Sequence, residues 1–292
     1  MVRPFRFGVC LIAEGRSRAD LVRTARRAED LGYDLVAAAD HVNLCSPLPA
    51  VVLAAEATSR VRIGTYVLNA SFHEPALLRR DVATLDRFTD GRLEVGLGTG
   101  YVPWEFEAVG RPWAPARERV DRLAAAVEAL DAPPDGTDLS VYRPLQSPRP
   151  PLLVGGNGDR VLALAARHAD TVGLVGTTFR PEIGRMDLLD RDALAGRVKY
   201  VRAAAGDRDP RIDVLAKATV ITGDRASAVV GLRRYGRALS DDQLLDLPSL
   251  WVGSLDAIAE QMHRHQEELG ISSVTVMEHD LEEFGRVIAR VR

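Results

Sequence analysis

Short apolar runs alternate with amphipathic stretches eight times along this chain. Residues 35–39 and 93–98, for example, are too short for helices, and each precedes a stretch with apolar side chains at helical spacing. Runs that are apolar on both faces are typical of parallel strands covered on both sides. Eight strand–helix units predict an α/β fold, a (β/α)8 TIM barrel with short insertions, forming one domain over residues 1–292.

Two segments depart from this repeat. Residues 132–151 contain six prolines and interrupt it as an insertion, after which the repeat resumes. Residues 176–190 are predicted to be a loop, and an extra helix is predicted near residues 225–239. The strands are predicted at residues 5–11, 35–39, 61–68, 93–98, 152–154, 171–175, 211–222 and 274–277.

Composition excludes several classes of protein. The 292 residues carry a net charge of −3, so no overall positive field favours nucleic acid. Two cysteines without metal-ligand spacing suit a reducing compartment. The apolar residues 7–13 are too few for a signal peptide or a membrane span. We therefore expect a cytoplasmic protein that binds neither nucleic acid nor membrane.

Barrels of this kind carry their active sites at the carboxyl ends of the strands. Asp40 and His41 directly follow a buried strand; His41 can transfer a proton near neutral pH, and Asp40 can accept hydrogen bonds from a ligand. The alternative is an aspartate that caps the next turn beside a packed histidine. The other polar strand-end candidates are Glu14, Asn69, Thr99, Gly100, Tyr101, Gly156, Asn157, Thr177, Thr178, Thr222, Glu278 and His279.

Two glycine-rich turns add backbone to this set. Residues 98–100 allow a planar or phosphorylated ligand to approach the main chain closely. Residues 155–158 precede a helix whose free N–H groups favour an anion, with Arg160 as an added charge. Each can equally be a simple change of chain direction, and neither matches a dinucleotide or P-loop fingerprint.

Other chemistries lack their residues. A Schiff-base aldolase would need a lysine that faces into the barrel, and Lys217 on the predicted seventh strand is the one possible choice, so this chemistry is disfavoured. His263 and His265 point apart on a helix, so we expect no metal site. The chain has no G-x-S-x-G elbow for a serine hydrolase.

Several segments together resemble the bacterial luciferase-like superfamily of flavin and deazaflavin barrel enzymes. The segments are DRFTDGRLEVGLGTGYVPWEFEAVGRPW, ERVDRL, IGTYVLN and PPLLVGGNGDRVLALAARHADTVGL, with Asp40-His41 after the second strand. They cover most of residues 5–175. The pattern is most similar to the F420-dependent oxidoreductases, in which coenzyme F420, a 5-deazaflavin, carries a hydride to or from a small-molecule substrate.

The resemblance implies a role for each matched residue. Asp40 would bind the deazaflavin, His41 would face its ring and the substrate, and Asn69 would contact the ring. The peptide bond between Tyr66 and Val67 matches a place where the family often has a cis bond behind the ring. Thr99 and Gly100 would contact the ring edge, and Gly156, Asn157, Asp159 and Arg160 the ribityl phosphate end. The resemblance also implies a homodimer.

One departure from the family bears on the reaction. Sugar-phosphate dehydrogenases of this family have a glutamate base directly after the Gly-Thr-Gly turn, where this chain has Tyr101. We predict that Tyr101 donates a proton, that Trp104 and Glu14 contact the substrate, and that the enzyme reduces a C=C or C=N bond. The alternatives are an FMN-dependent monooxygenase and a flavin-binding barrel without turnover.

Overall fold

The computed structural model describes residues 3–12, 15, 17–132, 143–180 and 185–292. Within them, eight parallel strands form a sheet that closes into a barrel. The closing contact is made by the third barrel strand, which pairs with the second strand on one side and with the fourth on the other. In order around the barrel the strands are β1 (Arg6–Leu11), β2 (Leu35–Ala38), β3 (Arg62–Thr65) with its short continuation β4 (Leu68–Asn69), β5 (Leu93–Gly98), β6 (Leu152–Gly156), β7 (Thr171–Leu174), β10 (Arg211–Leu215) and β13 (Ile271–Met277). The predicted (β/α)8 barrel is confirmed.

Helices surround the barrel between successive strands. They are α1 (Arg18–Asp30), α2 (Pro47–Ala57), α3 (Pro75–Phe88), α4 (Pro103–Ala108), α5 (Ala116–Asp131), α6 (Asp159–His168), α7 (Arg191–Ala205), α8 (Arg225–Leu232), α9 (Asp241–Leu245), α10 (Leu255–Leu269) and α11 (Leu281–Val291). Several helices begin and end at residue types that favour those positions. Ser17 and Asp20 form a reciprocal capping box at the start of α1, and Gly270 ends α10 in the left-handed conformation.

The main apolar core lies between the strands and the helices. Outward-facing strand residues such as Leu97, Val154 and Val214 are fully buried in it. The inside of the barrel is polar by contrast. At its amino-terminal end Glu94 pairs with Arg6 and Arg62, and above them Asp213 accepts hydrogen bonds inside the barrel. Gly64 is required here, because a Cβ would lie 2.3 Å from the Glu94 carbonyl oxygen.

The structure corrects the predicted seventh strand. The apolar run of residues 211–222 was expected to be one barrel strand, but β10 ends at Leu215 and a separate strand, β11 (Ala218–Ile221), follows. β11 pairs with β12 (Leu250–Gly253) outside the barrel, and a second apolar cluster with α8 and α9 covers this pair. The sequence between β10 and β11 has no glycine or proline to mark the break. Thr222 therefore follows β11 and not a barrel strand.

Three other boundaries also differ from the sequence prediction. Residues 176–190 contain an antiparallel hairpin, β8 (Thr177–Arg180) and β9 (Arg185–Leu188), in place of a loop. The extra helix α8 ends at Leu232, and the acidic stretch that follows holds α9. The third strand is interrupted at Tyr66 and Val67, where the peptide bond is cis.

Candidate active site

The carboxyl ends of the barrel strands form a rim, called the mouth below, and most of the predicted site residues lie there. Asp40 and His41 follow β2, Asn69 ends β4, and Thr99, Gly100 and Tyr101 follow β5. Glu14, predicted to contact the substrate, lies outside the described residues. The strand ends thus bring together residues that are up to 61 positions apart, from Asp40 to Tyr101.

His41 is held between two side chains. Its Nδ1 lies 2.7 Å from Glu105 Oε1, and its Nε2 lies 3.5 Å from the Tyr101 hydroxyl, with the two rings at 89° to each other. An ionised carboxylate only accepts hydrogen bonds, so Glu105 assigns the hydrogen of the neutral imidazole to Nδ1. Nε2 is then left as an acceptor that faces the Tyr101 hydroxyl.

Sequence reasoning did not single out Glu105. It lies in α4, four residues after Tyr101, with only 3% of its surface exposed. Buried carboxylates are rare unless they are paired, and this one is paired with His41. The sequence offered one signal, because Glu105 stands between the aromatic residues Trp104 and Phe106 shortly after the glycine turn.

Asp40 and Asn69 are joined through the backbone. Asp40 Oδ2 accepts a hydrogen bond of 2.9 Å from the Asn69 N–H and lies 3.6 Å from His73 Nε2. The Asn69 side-chain oxygen accepts from the Ser71 N–H, which fixes the amide's orientation. Its Nδ2 is buried and has no acceptor among the described residues. A buried donor without a partner is costly, so this amide is suited to a ligand acceptor.

The glycine turn and Val67 form a smooth surface beside these residues. A Cβ at Gly98 would lie 2.7 Å from the Val67 side chain, and one at Gly100 would lie 2.3 Å from Asn69 Nδ2. Gly100 also has a φ of +70°, which a side chain would disfavour. Residues with side chains are therefore excluded here, and bare backbone remains for contact with a flat group.

Tyr66 anchors this surface from inside the barrel. Its hydroxyl donates a 2.8 Å hydrogen bond to Asp213 Oδ2, and its carbonyl accepts from the thiol of Cys10 at 3.4 Å. Burial raises the pKa of Asp213, and hydrogen bonds from Ser273, Tyr66 and Thr275 partly oppose that rise. Burial and the neighbouring Asp213 also raise the pKa of Tyr66, so its phenol stays protonated.

The second glycine turn lies at the end of β6. The Asn157 amide donates to the Thr177 carbonyl, while its Oδ1 is buried without a partner among the described residues. The charged side chains predicted to bind phosphate have protein partners. Asp159 Oδ1 lies 2.5 Å from Arg197, and Arg160 lies 2.6 Å from Asp121. Both pairs are exposed and therefore weak, so they can exchange for a ligand.

Aromatic side chains form the outer wall of the mouth. Tyr101 is 72% exposed and Trp104 50% exposed. Behind them the Trp113 ring packs against Phe106, and the Arg119 guanidinium lies 3.9 Å from the Trp113 ring centre while it donates to the Gly100 carbonyl. The wall is fixed at its base and exposed toward the mouth, as expected of residues that meet a ligand.

The remaining candidates do not join this group. Glu278 accepts a hydrogen bond of 2.9 Å from the Ile12 N–H, and His279 is exposed and lies 3.8 Å from Asp280. His265 packs against Trp251 within the fold, whereas His263 packs against Phe5. The described residues contain no cluster of three metal-ligating side chains. They also contain no helix with the length and apolarity that a membrane span requires.

The family model of luciferase-like monooxygenases matches residues 1–243 of this chain. The chain belongs to that family. It is similar to an F420-dependent glucose-6-phosphate dehydrogenase of Kribbella flavida, at 30% identity over 92% of this chain and 82% of the relative. It is also similar to an FMNH2-dependent dimethylsulfone monooxygenase of Pseudomonas putida, at 25% identity over 58% of this chain and 46% of the relative.

Two solved structures share the fold of this chain. An F420-dependent secondary alcohol dehydrogenase in complex with an F420-acetone adduct superposes with a TM-score of 0.75 at 19% identity, covering 99% of this chain and all of that one. The coenzyme F420-dependent tetrahydromethanopterin reductase of Methanopyrus kandleri gives 0.69 at 17% identity, covering 99% and 100%. The family membership and the barrel predicted from the sequence are thus confirmed.

Proposed function

We propose that this chain is an F420-dependent oxidoreductase that transfers a hydride between the deazaflavin and a small organic substrate in the mouth. One observation carries the proposal: His41 is held between the buried Glu105 and the Tyr101 hydroxyl, beside a glycine turn and an Asn69 Nδ2 that has no acceptor among the described residues. The similarity to relatives that use F420 supports it as well.

The residues of the mouth fit a flat redox ring. The Asn69 amide is a buried donor in need of an acceptor, and the surface of Val67, Gly98 and Gly100 has no space for further side chains. Asp40, Tyr66, Val67, Asn69, Thr99 and Gly100 would hold the ring, and Gly156, Asn157, Asp159 and Arg160 the phosphate end. When bound, the deazaflavin supplies a carbon that accepts or donates a hydride.

His41 and Tyr101 would manage the proton that accompanies the hydride. With Nδ1–H directed at Glu105, the His41 Nε2 accepts a hydrogen bond from the Tyr101 hydroxyl and orients it. Tyr101 would donate its hydroxyl proton to the substrate after the hydride has been transferred, and a proton from solvent would restore the exposed phenol afterwards. The aromatic wall and the surface of Val67 would exclude water from the reacting atoms. Glu105 would hold the His41 ring in the Nδ1–H form, as a buried carboxylate beside a histidine does in other enzymes.

The direction we propose is reduction of a C=C or C=N bond. Loss of water around its hydroxyl and the Glu105 carboxylate raise the pKa of Tyr101, so the phenol is a proton donor at neutral pH. Reduction requires such a donor after the hydride arrives, whereas oxidation of a sugar alcohol requires a base at that place. A hydroxyl in place of a carboxylate after the Gly-Thr-Gly turn favours the first reaction.

Binding and turnover test the proposal together. We expect the protein to bind F420 and to oxidise its reduced form in the presence of activated alkenes or imines, and we expect FMN to bind more weakly. Tight binding of FMN with no affinity for F420 would favour the FMN-dependent monooxygenase, the second candidate. Binding of F420 without turnover on any alkene, imine or alcohol would favour a barrel that only binds the cofactor.

A further inference from the structure

Lys217 lies at the mouth and has no anionic partner among the residues that the structure describes. Its side chain is partly buried, and among the described residues no carboxylate oxygen lies within 4.0 Å of its ammonium. No hydrogen bond from the ammonium reaches another described residue either. The chain has one other lysine, Lys199, which is exposed on α7.

The course of the chain directs Lys217 to the inner side of the mouth. Asp213 in β10 faces into the barrel, where it accepts hydrogen bonds from Tyr66 and Thr275. β10 ends two residues before Lys217, so Lys217 lies at the carboxyl end of this strand, on the rim of the barrel. The ammonium also acts on the thiol of Cys10, at the inner end of β1: burial raises the pKa of Cys10 to about 12, and Lys217 opposes that rise.

The order of the strands places Lys217 across the mouth from the ring-binding residues. In the closed barrel β10 lies four strands from β3 in either direction. Asn69, at the end of the continuation of β3, is therefore on the opposite side, and His41 and Thr99 follow the two neighbours of β3. A substrate lying between the ring and Lys217 would have them on opposite sides.

A partly desolvated cation without a partner is unfavourable. Burial lowers the pKa of Lys217, which shows that the protein disfavours the charged amine there. An anion bound beside it would offset that cost, because a hydrogen bond to a charged group is about twice as strong as a neutral one.

The surroundings select the kind of anion. The buried Glu278 follows β13, the strand beside β10, so this carboxylate and Lys217 follow neighbouring strands at the mouth. The cations nearest the ring-binding side have protein partners, since Arg119 donates to the Gly100 carbonyl and Arg160 pairs with Asp121. A single ammonium with a carboxylate at the end of the neighbouring strand suits one negative charge and disfavours a phosphate dianion.

We propose that Lys217 binds a carboxylate group of the substrate, so that the enzyme acts on small monoanionic carboxylates and not on phosphate esters. The inference rests on the proposed function, because it assigns the substrate to the same mouth. It distinguishes this chain from relatives named for glucose 6-phosphate.

Calorimetric titration with benzoate, benzamide and inorganic phosphate tests this assignment on the purified protein, with and without added F420. The variants are Lys217→Met, Lys217→Arg and, as the matched control on the other lysine, Lys199→Met. We expect benzoate to bind the wild type more tightly than phosphate does. Benzoate should bind Lys217→Met about ten- to a hundredfold more weakly than it binds the wild type. Lys217→Arg should retain most of the affinity, Lys199→Met all of it, and benzamide should not distinguish the variants.

Several results would overturn the assignment: no saturable benzoate binding to the wild type, equal binding to Lys217→Met, or tighter binding of phosphate than of benzoate. A matching loss of F420 affinity in Lys217→Met would also overturn it, because the ammonium would then serve the cofactor. Thermal unfolding checks the fold, and Lys217→Met should be as stable as the wild type, since it removes an unpaired charge. Failure of every variant to bind F420, with benzoate binding still dependent on Lys217, would instead contradict the proposed function.

Discussion

Replacement of Glu105 by glutamine would test whether this buried side chain orients His41. A glutamine at this position would keep the size of the side chain but lose the charge that assigns the hydrogen to Nδ1, because an amide can present either its oxygen or its NH2 group. The bond concerned is 2.7 Å long and almost fully shielded from water. A hydrogen bond to a charged group contributes about 1.5–3 kcal/mol, which corresponds to about a ten- to hundredfold fall in kcat/KM.

Two measurements separate this role from a structural one. Nitrogen NMR of the histidine rings reports which nitrogen carries the hydrogen, and we expect His41 to change from the Nδ1–H form to a mixture in Glu105→Gln. Steady-state kinetics with F420 should show the loss mainly in kcat. Glu107→Gln, on the exposed face of the same helix, is the matched control and should change kcat/KM by no more than about twofold. An unchanged His41 tautomer with unchanged kcat/KM in Glu105→Gln would refute the reasoning.

Three further predictions concern the mouth and the outer helices. Gly100→Ala should weaken F420 binding by more than about tenfold, because the added Cβ would displace the Asn69 amide. Fluorescence titration measures that binding, and a melting curve of the same variant would show whether only stability had changed. Tyr101→Phe should lower kcat about a hundredfold, because it removes the proton donor. In the wild type, kcat should fall only above a pH of about 10, because the raised pKa of Tyr101 keeps the phenol protonated to higher pH. A fall of kcat at lower pH would contradict the donor role. Burial lowers the pKa of His265 to about 4, so the unfolded chain binds a proton between pH 6.5 and 4 that the folded protein does not. The free energy of unfolding should therefore fall by up to about 3 kcal/mol over that range, and urea unfolding of His265→Gln should show a smaller fall; equal slopes would show that another group is responsible.

The strand order separates the residues proposed to bind the cofactor from the lysine proposed to bind the substrate. The residues proposed to hold the ring follow β2 to β5, whereas Lys217 follows β10, four strands from β3 in either direction. A change of residue on the far side would alter the substrate without altering the surface that receives the cofactor. This separation predicts that variants of Lys217 and of Asn69 affect substrate and F420 binding independently.

The sequence by itself determined the barrel, its family and most of the strand ends that bear polar residues. These features depend on local patterns, namely the alternation of apolar runs with helical periodicity and a glycine turn that follows a buried strand. Asp40, His41, Asn69, Thr99 and Tyr101 were therefore found before any contact between them was known.

Tertiary structure decided what the sequence could not. The strand break after Leu215 depends on pairing with β12, which lies more than thirty residues later. The role proposed for Glu105 depends on its distance to His41. The role proposed for Lys217 depends on the lack of an anion near its ammonium among the described residues. Pairing, burial and the presence or lack of a counter-charge are properties of residues far apart in the chain, so no local pattern encodes them.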